Sequence, residues 1–187
     1  MEFLKDKNEI IKWLDSNNIC DYDIIETKIK KYPYVVHAHD NVDISGQKLS
    51  FVPVKFNKIF GNLDCSNNSL IYLNFCPSKV GGSAYFNKNK ISSLKGIPKT
   101  IGQGIDLSDN CLSENSLNYF PLNINLSAPI NLKNNPNLKN FQYASISDIQ
   151  ILIEDLKKRK ETTKNKNKLE KELKINKEKT KSKPMKI

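Results

Sequence analysis

Apolar residues recur along most of this chain in short alternations, not in helical stripes. Pairs separated by a single residue stand at Val42 and Ile44, Leu63 and Cys65, Ala84 and Phe86, Ile105 and Leu107, and Ile130 and Leu132. Each pair begins 21 residues after the one before it, except the last, which follows after 25. The segments VDISGQKL, LDCSNNSL, AYFNKNKI, IDLSDNCL and INLKNNPNL also keep an amide three residues after the second apolar position: Gln47, Asn68, Asn89, Asn110 and Asn135. Two positions further comes another apolar residue at Leu49, Leu70, Ile91 and Leu112, and one place late at Leu138. An alternation of three residues makes a strand too short to stand alone, so the repeat has to stack. The spacing predicts an α/β solenoid over residues 42–141, with about five coils and a parallel sheet of short strands. Four extra residues are absorbed around Ser113 to Leu117.

The other recurring positions fill out the coil. Val52, Leu73 and Leu94, then Ile59, Val80, Ile101 and Ile124, are the remaining inward residues. Pro53, Pro77, Pro98 and Pro121 favour extended or turn backbone on the return side. Gly61, Gly81, Gly82, Gly102 and Gly104 precede successive strands, where neighbouring coils must pass closely. An asparagine amide both donates and accepts, so Asn68, Asn89, Asn110 and Asn135 are predicted to bond the backbone of each bend.

Solenoid ends expose a cross-section of core and need covering. Residues 1–41 are read as an N-terminal cap. A helix over 7–16 starts at Asp6 with Glu9 three residues on, and buries Leu4, Ile10, Ile11 and Leu14 with Trp13 at its edge. Tyr34–Ala38 is expected as a strand antiparallel to Val42–Ser45 across an Asp40–Asn41 turn. Residues 142–158 form the C-terminal capping helix, opened by Ser145 and Asp148, with Ile149, Leu152, Ile153 and Leu156 on one face. Residues 159–187 are a lysine-rich tail, partly helical or disordered, with a disordered end after Thr180.

The strand–xxN–x–L pattern at this period resembles leucine-rich repeats of the short bacterial type. IPKTIGQGIDLSDNCL and CPSKVGGSAYFNKNKI are similar to the proline-led units of bacterial repeat effectors. The opening MEFLKDKNEIIKWLDSNNI with VDISGQKLSFVPVKFNKIFGNLDCSNNSL resembles small repeat proteins encoded in bacteriophage and prophage genomes. The resemblance covers roughly residues 1–141, with Cys65, Ala84 and Phe86 standing where leucine is usual. It implies a protein-binding role in the cytoplasm of a bacterial host, as an inhibitor or modulator of a host or defence protein such as a CRISPR effector nuclease. Repeat scaffolds carry many roles, so the resemblance speaks to fold more than to function.

Charge changes the picture at one end. The chain carries +10, and residues 157–187 hold 14 Lys or Arg against four Glu, so residues 1–156 balance at zero. The high isoelectric point belongs to the tail, not to the body. Lys157, Lys158, Arg159, Lys160, Lys164, Lys166 and Lys168 are the candidate polyanion contacts, giving non-specific, salt-dependent nucleic-acid association as the rival function. Aromatic residues are missing from the tail and Arg159 is the chain's single arginine, so base readers are lacking. No run approaches a membrane span, and the charged start lacks a signal-peptide cleavage site.

Catalytic motifs do not emerge. Cys20, Cys65, Cys76 and Cys111 lack metal-ligand spacing, and with only His37 and His39 beside them a zinc module is not expected. A Cys–His pair from Cys65 or Cys111 is weakened by the inward position of Cys65. No phosphate-cradling loop is present, and neither a cofactor nor enzymatic activity is expected. The outward strand positions are more informative. Asp43, Asp64, Tyr85, Asp106 and Asn131 form one expected concave column, flanked by Ser45, Ser66, Asn87, Ser108 and Lys133. Asp43, Asp64, Tyr85, Asn87, Asp106, Ser108, Asn131 and Lys133 are therefore the candidate protein-binding surface, with Tyr85 its natural anchor.

Overall fold

The computed structural model describes residues 2–124, 126–138 and 141–181, with side chains as far as Glu172. In chain order its elements are α1 (Lys7–Ser16), β1 (Tyr22–Glu26), β2 (Tyr34–Ala38), β3 (Val42–Asp43), β4 (Phe56–Ile59), β5 (Leu63–Asp64), β6 (Lys79–Val80), β7 (Ala84–Tyr85), β8 (Thr100–Ile101) and β9 (Ile105–Asp106). A 3-10 turn (Glu114–Tyr119), β10 (Ile130–Asn131), β11 (Tyr143–Ala144) and α2 (Ile146–Lys181) follow.

The repeating alternations build a β-solenoid of about five turns, with parallel sheets and a C-terminal helix. Strands β3, β5, β7, β9 and β10 lie side by side and parallel, in the registers Asp43–Asp64, Asp64–Tyr85, Tyr85–Asp106 and Asp106–Asn131. Backbone bonds run on beyond these two-residue strands: Ile44 N donates to Asp64 O, Cys65 N to Tyr85 O and Phe86 N to Asp106 O, at 2.8–2.9 Å. The second residue of each pair, Ile44, Cys65, Phe86, Leu107 and Leu132, is fully buried.

A second sheet corrects the expectation of one. The return segments carrying Ile59, Val80 and Ile101 pair as β4, β6 and β8, parallel and in register across Lys58–Lys79–Thr100. The coils of β3, β5 and β7 thus have two short strands each, with the apolar filling between them. Tyr34–Ala38 belongs to this second sheet, parallel to β4 and antiparallel to β1, and does not pair with Val42–Ser45. The Asp40–Asn41 turn is a corner between sheets, not a hairpin. Val36 and Ala38 match the inward Phe56 and Ile59, which sets β2 as the first rung of the return side.

The sheets end in opposite ways. At the N-terminal end β1 runs antiparallel along the second sheet, and at the other end β11 runs antiparallel to β10 along the first. Helix α1 spans the expected residues; Asp6 Oδ1 accepts from the N–H groups of Asn8 and Glu9, and Ile10 and Leu14 join the core. Ser145 and Asp148 open α2 with reciprocal bonds of 2.8 and 3.1 Å, and Ile149, Leu152, Ile153 and Leu156 are buried. The hydrogen bonds from Ser145, first its backbone N–H and then its hydroxyl, hold the Asp148 carboxyl below its ordinary pKa. Helix α2 continues unbroken to Lys181, so residues 159–181 are helical; from Ser182 the expected disordered end lies outside the described residues. Among the described residues no helix is long and apolar enough to cross a membrane.

The bend after each strand of the first sheet is tight. One residue there adopts the left-handed conformation in every coil: Gly46 (φ +66°), Asn67 (+55°), Lys88 (+55°), Asp109 (+54°) and Asn134 (+56°). Glycine, asparagine and aspartate tolerate that region best, which accounts for four of the five. Immediately after it stands the recurrent asparagine. Asn89 Oδ1 accepts from Leu70 N at 2.9 Å in the preceding coil, while its Nδ2 donates to the carbonyls of Cys65 (2.9 Å) and Phe86 (3.1 Å). Asn68, Asn110 and Asn135 repeat the arrangement on Leu49, Ile91 and Leu112. All four are buried, whereas Gln47 in the first coil is exposed and makes no side-chain hydrogen bond among the described residues.

Replacing Asn89 by Ala leaves buried backbone groups unpaired and is expected to cost about 1–3 kcal/mol. The matching change Gln47→Ala is expected to stay within about 0.5 kcal/mol of the parent. Urea denaturation of the two variants checks the contrast; equal stability would show that the asparagines carry no special load.

Candidate functional site

The outward face of the first sheet is assembled by register alone. Parallel pairing puts Asp43, Asp64, Tyr85, Asp106 and Asn131 in one line, each about 4.8 Å from the next. Four of the five side chains are engaged with their own bends. Asp43 Oδ1 accepts from Ser45 N (2.9 Å), Asp64 Oδ1 from Ser66 N (2.8 Å) and Asp106 Oδ1 from Ser108 N (2.9 Å). Asn131 Oδ1 accepts from Lys133 N at 3.2 Å, and its Nδ2 donates to Asp106 Oδ2 at 3.0 Å. The Ser108 hydroxyl donates a further bond to Asp106 Oδ1 at 2.7 Å, and that serine is buried.

The acidic column therefore has structural duties as well as an outward position. A carboxylate at a strand end meets the N–H two residues on, the Asx-turn geometry that aspartate and asparagine favour. Tyr85 makes no bond of this kind, because a phenol cannot reach back to the nearby N–H. Its side chain stands 39% exposed between Asp64 and Asp106. Asn87 and Lys133 are half-buried in the neighbouring column. Lys133 Nζ lies 4.6 Å from the centre of the Tyr143 ring, which is itself 57% exposed on β11. Tyr143 extends the aromatic surface of this face and was not singled out from sequence, because β11 lies outside the repeat.

Among the described residues no thiol is hydrogen-bonded to an imidazole. His37 Nε2 lies 2.7 Å from Asn57 Nδ2, and burial, then the charge of Lys58, lowers its pKa. His39 Nε2 lies 2.9 Å from Asp23 Oδ2, and its ring stacks on the exposed Phe60 at 5.4 Å. Cys65 and Cys76 are buried, and desolvation raises both thiols above their ordinary range. Among the described residues no three His, Cys, Asp or Glu side chains gather where a metal ion could be held.

The tail residues Lys157, Lys158, Lys160, Lys164, Lys166 and Lys168 are exposed along α2. Lys168 reaches Glu172 at 4.0 Å, one turn on. Arg159 differs from them: its guanidinium is 2.5 Å from Asp155 and 3.6 Å from Glu114 in the 3-10 turn, so it fastens the helix to the body.

The two kinds of outward residue separate in their expected effect on stability. Asp106→Ala removes the acceptor for Ser108 and Asn131 and is expected to cost about 1–2 kcal/mol. Tyr85→Ala is expected to change stability by less than about 0.5 kcal/mol. Thermal unfolding of both variants checks this, and a Tyr85 variant as destabilised as the Asp106 variant would place the ring in the core. No family model matches the chain, and no curated protein or solved structure matches it significantly.

Proposed function

We propose that the chain is a non-enzymatic protein-binding module: a leucine-rich-repeat-like solenoid, closed by a helix at each end, that grips a partner through the outer face of its first sheet. The observation that supports this reading is Tyr85, a large, exposed side chain that the bends do not use, flanked in register by two carboxylates that their own bends already hold in place. Tyrosine offers wide contact area at low entropy cost, and pre-ordered acids beside it favour a partner with a basic patch. The likeness of the sequence to phage-encoded repeat proteins points to a bacterial host or defence protein as that partner, a CRISPR effector nuclease being one such target. Partner binding through this face assigns no chemistry to the protein itself.

A second reading rests on α2. Its exposed lysines, with few acidic partners, suit a nucleic-acid-associated protein that neutralises phosphates non-specifically. Affinity capture from bacterial lysate, with and without added nuclease, separates the two. A protein partner survives nuclease, and Tyr85→Ala is expected to weaken it by about 2 kcal/mol, roughly thirtyfold. A full-length variant with Lys164, Lys166, Lys168 and Lys171 changed to Gln is expected to keep that partner while losing salt-sensitive attraction to random duplex. Capture that disappears with nuclease, or with the Lys→Gln changes but not with Tyr85→Ala, would replace the first reading by the second.

A further inference from the structure

On the other side of the solenoid the return segments form a cavity of about 540 Å³. The loop between β1 and β2 lines it with the exposed Ile29 and the half-buried Tyr32, which are its accessible apolar surface; Val35, Phe56 and Ile97 also line it but are buried, and Lys55 and Lys99 are its cations. Among the described residues lining it none is acidic.

Lys55 is the unexpected member. The corresponding positions of the next two coils hold Cys76 and Ile97, so a charged side chain occupies an otherwise apolar column. Its ammonium donates to the Cys76 carbonyl, yet among the described residues it reaches no carboxylate. An ammonium carries three donors, so two are left for something else. Burial holds its pKa below the ordinary lysine value, with Cys76 acting in the opposite direction. Lys58 and Lys79 stand in register on the same sheet and add positive potential instead of relieving it. A half-buried, uncompensated cation destabilises a fold, and a methionine would fill the column at lower cost. An anion entering the cavity offsets that cost.

We propose that this cavity is a binding site for a small amphipathic carboxylate, its carboxylate on Lys55 and its apolar stem against Ile29 and Tyr32. A cavity of this volume suits a ligand of drug-like size. With Lys99 exposed at the rim, the one half-buried ammonium balances a singly charged carboxylate, whereas a phosphate dianion demands more donors than Lys55 has to give. The site lies on the second sheet, away from Tyr85, so it stands or falls independently of the partner-binding face.

The test uses the full chain with octanoate as probe, octanamide as its neutral counterpart and inorganic phosphate as the alternative anion, followed by calorimetry. Octanoate is expected to bind at least tenfold more tightly than octanamide, and Lys55→Met to lose at least tenfold while Lys99→Met, at the exposed rim, loses no more than about threefold. Absence of octanoate binding, equal binding of octanamide, or an unaffected Lys55→Met variant overturns the proposal. Should Lys55→Met fail to fold by circular dichroism, amine acylation of the unaltered protein, read by mass spectrometry, decides. Octanoate is expected to slow labelling of Lys55 at least fivefold and to leave the exposed Lys48 unchanged. Unchanged labelling of Lys55, or equal protection by phosphate, overturns the assignment.

Discussion

A chain that turns sharply every few residues around an apolar interior must find partners for the backbone groups it carries inside. Here one side chain per coil does this. The N–H groups of Leu49, Leu70, Ile91 and Leu112 all donate to the amide oxygen of the recurrent asparagine in the following coil. The same amide gives its hydrogens to strand carbonyls of both coils, such as Cys65 and Phe86 for Asn89. No coil is therefore complete by itself. Its bend is satisfied by the next unit, which is the nearest-neighbour coupling that gives stacked repeats their stability.

The close approach that coupling demands is visible elsewhere. A methyl group on Gly81 would meet the carbonyl oxygen of Phe60, and one on Gly102 would meet that of Gly81, so glycine is required where coils pass at that corner. Asn41 and Asn62 provide a second line of amide acceptors, for Asn62 N and Ser83 N at 2.7 Å, at the corner leading into the first sheet. Balanced net charge in residues 1–156 conceals a division between faces. Asp43, Asp64 and Asp106 line the outside of one sheet, while Lys58 and Lys79 line the other. Surfaces so divided attract different partners.

The repeat was legible because its period and its asparagines are constrained by backbone geometry, which leaves a strict pattern in the residues. The second sheet was harder to read. Its rungs Lys79–Val80 and Thr100–Ile101 are two residues long and carry one inward side chain each, too little for an alternation to register. Strand β1, YDIIE, lies outside the period and owes its pairing to β2, a tertiary choice that local pattern does not specify. The candidate face was legible as a column but not in its duties: only the folded bends separate Asp64 and Asp106, which they occupy, from Tyr85, which they do not. Lys55 had a signal, a cation in a column of Cys76 and Ile97, but the side chain's reach to a carbonyl inside a cavity depends on how the return segments stack.

The asparagine amides hold the bends as firmly as the strands hold each other. Native-state hydrogen exchange tests it residue by residue. The amides of Leu49, Leu70, Ile91 and Leu112, each in a bend, are predicted to exchange as slowly as the strand amides of Cys65 and Phe86, and only through a shared opening. Exchange of those four amides at the rates of exposed turn residues, with the strand amides still protected, would contradict it.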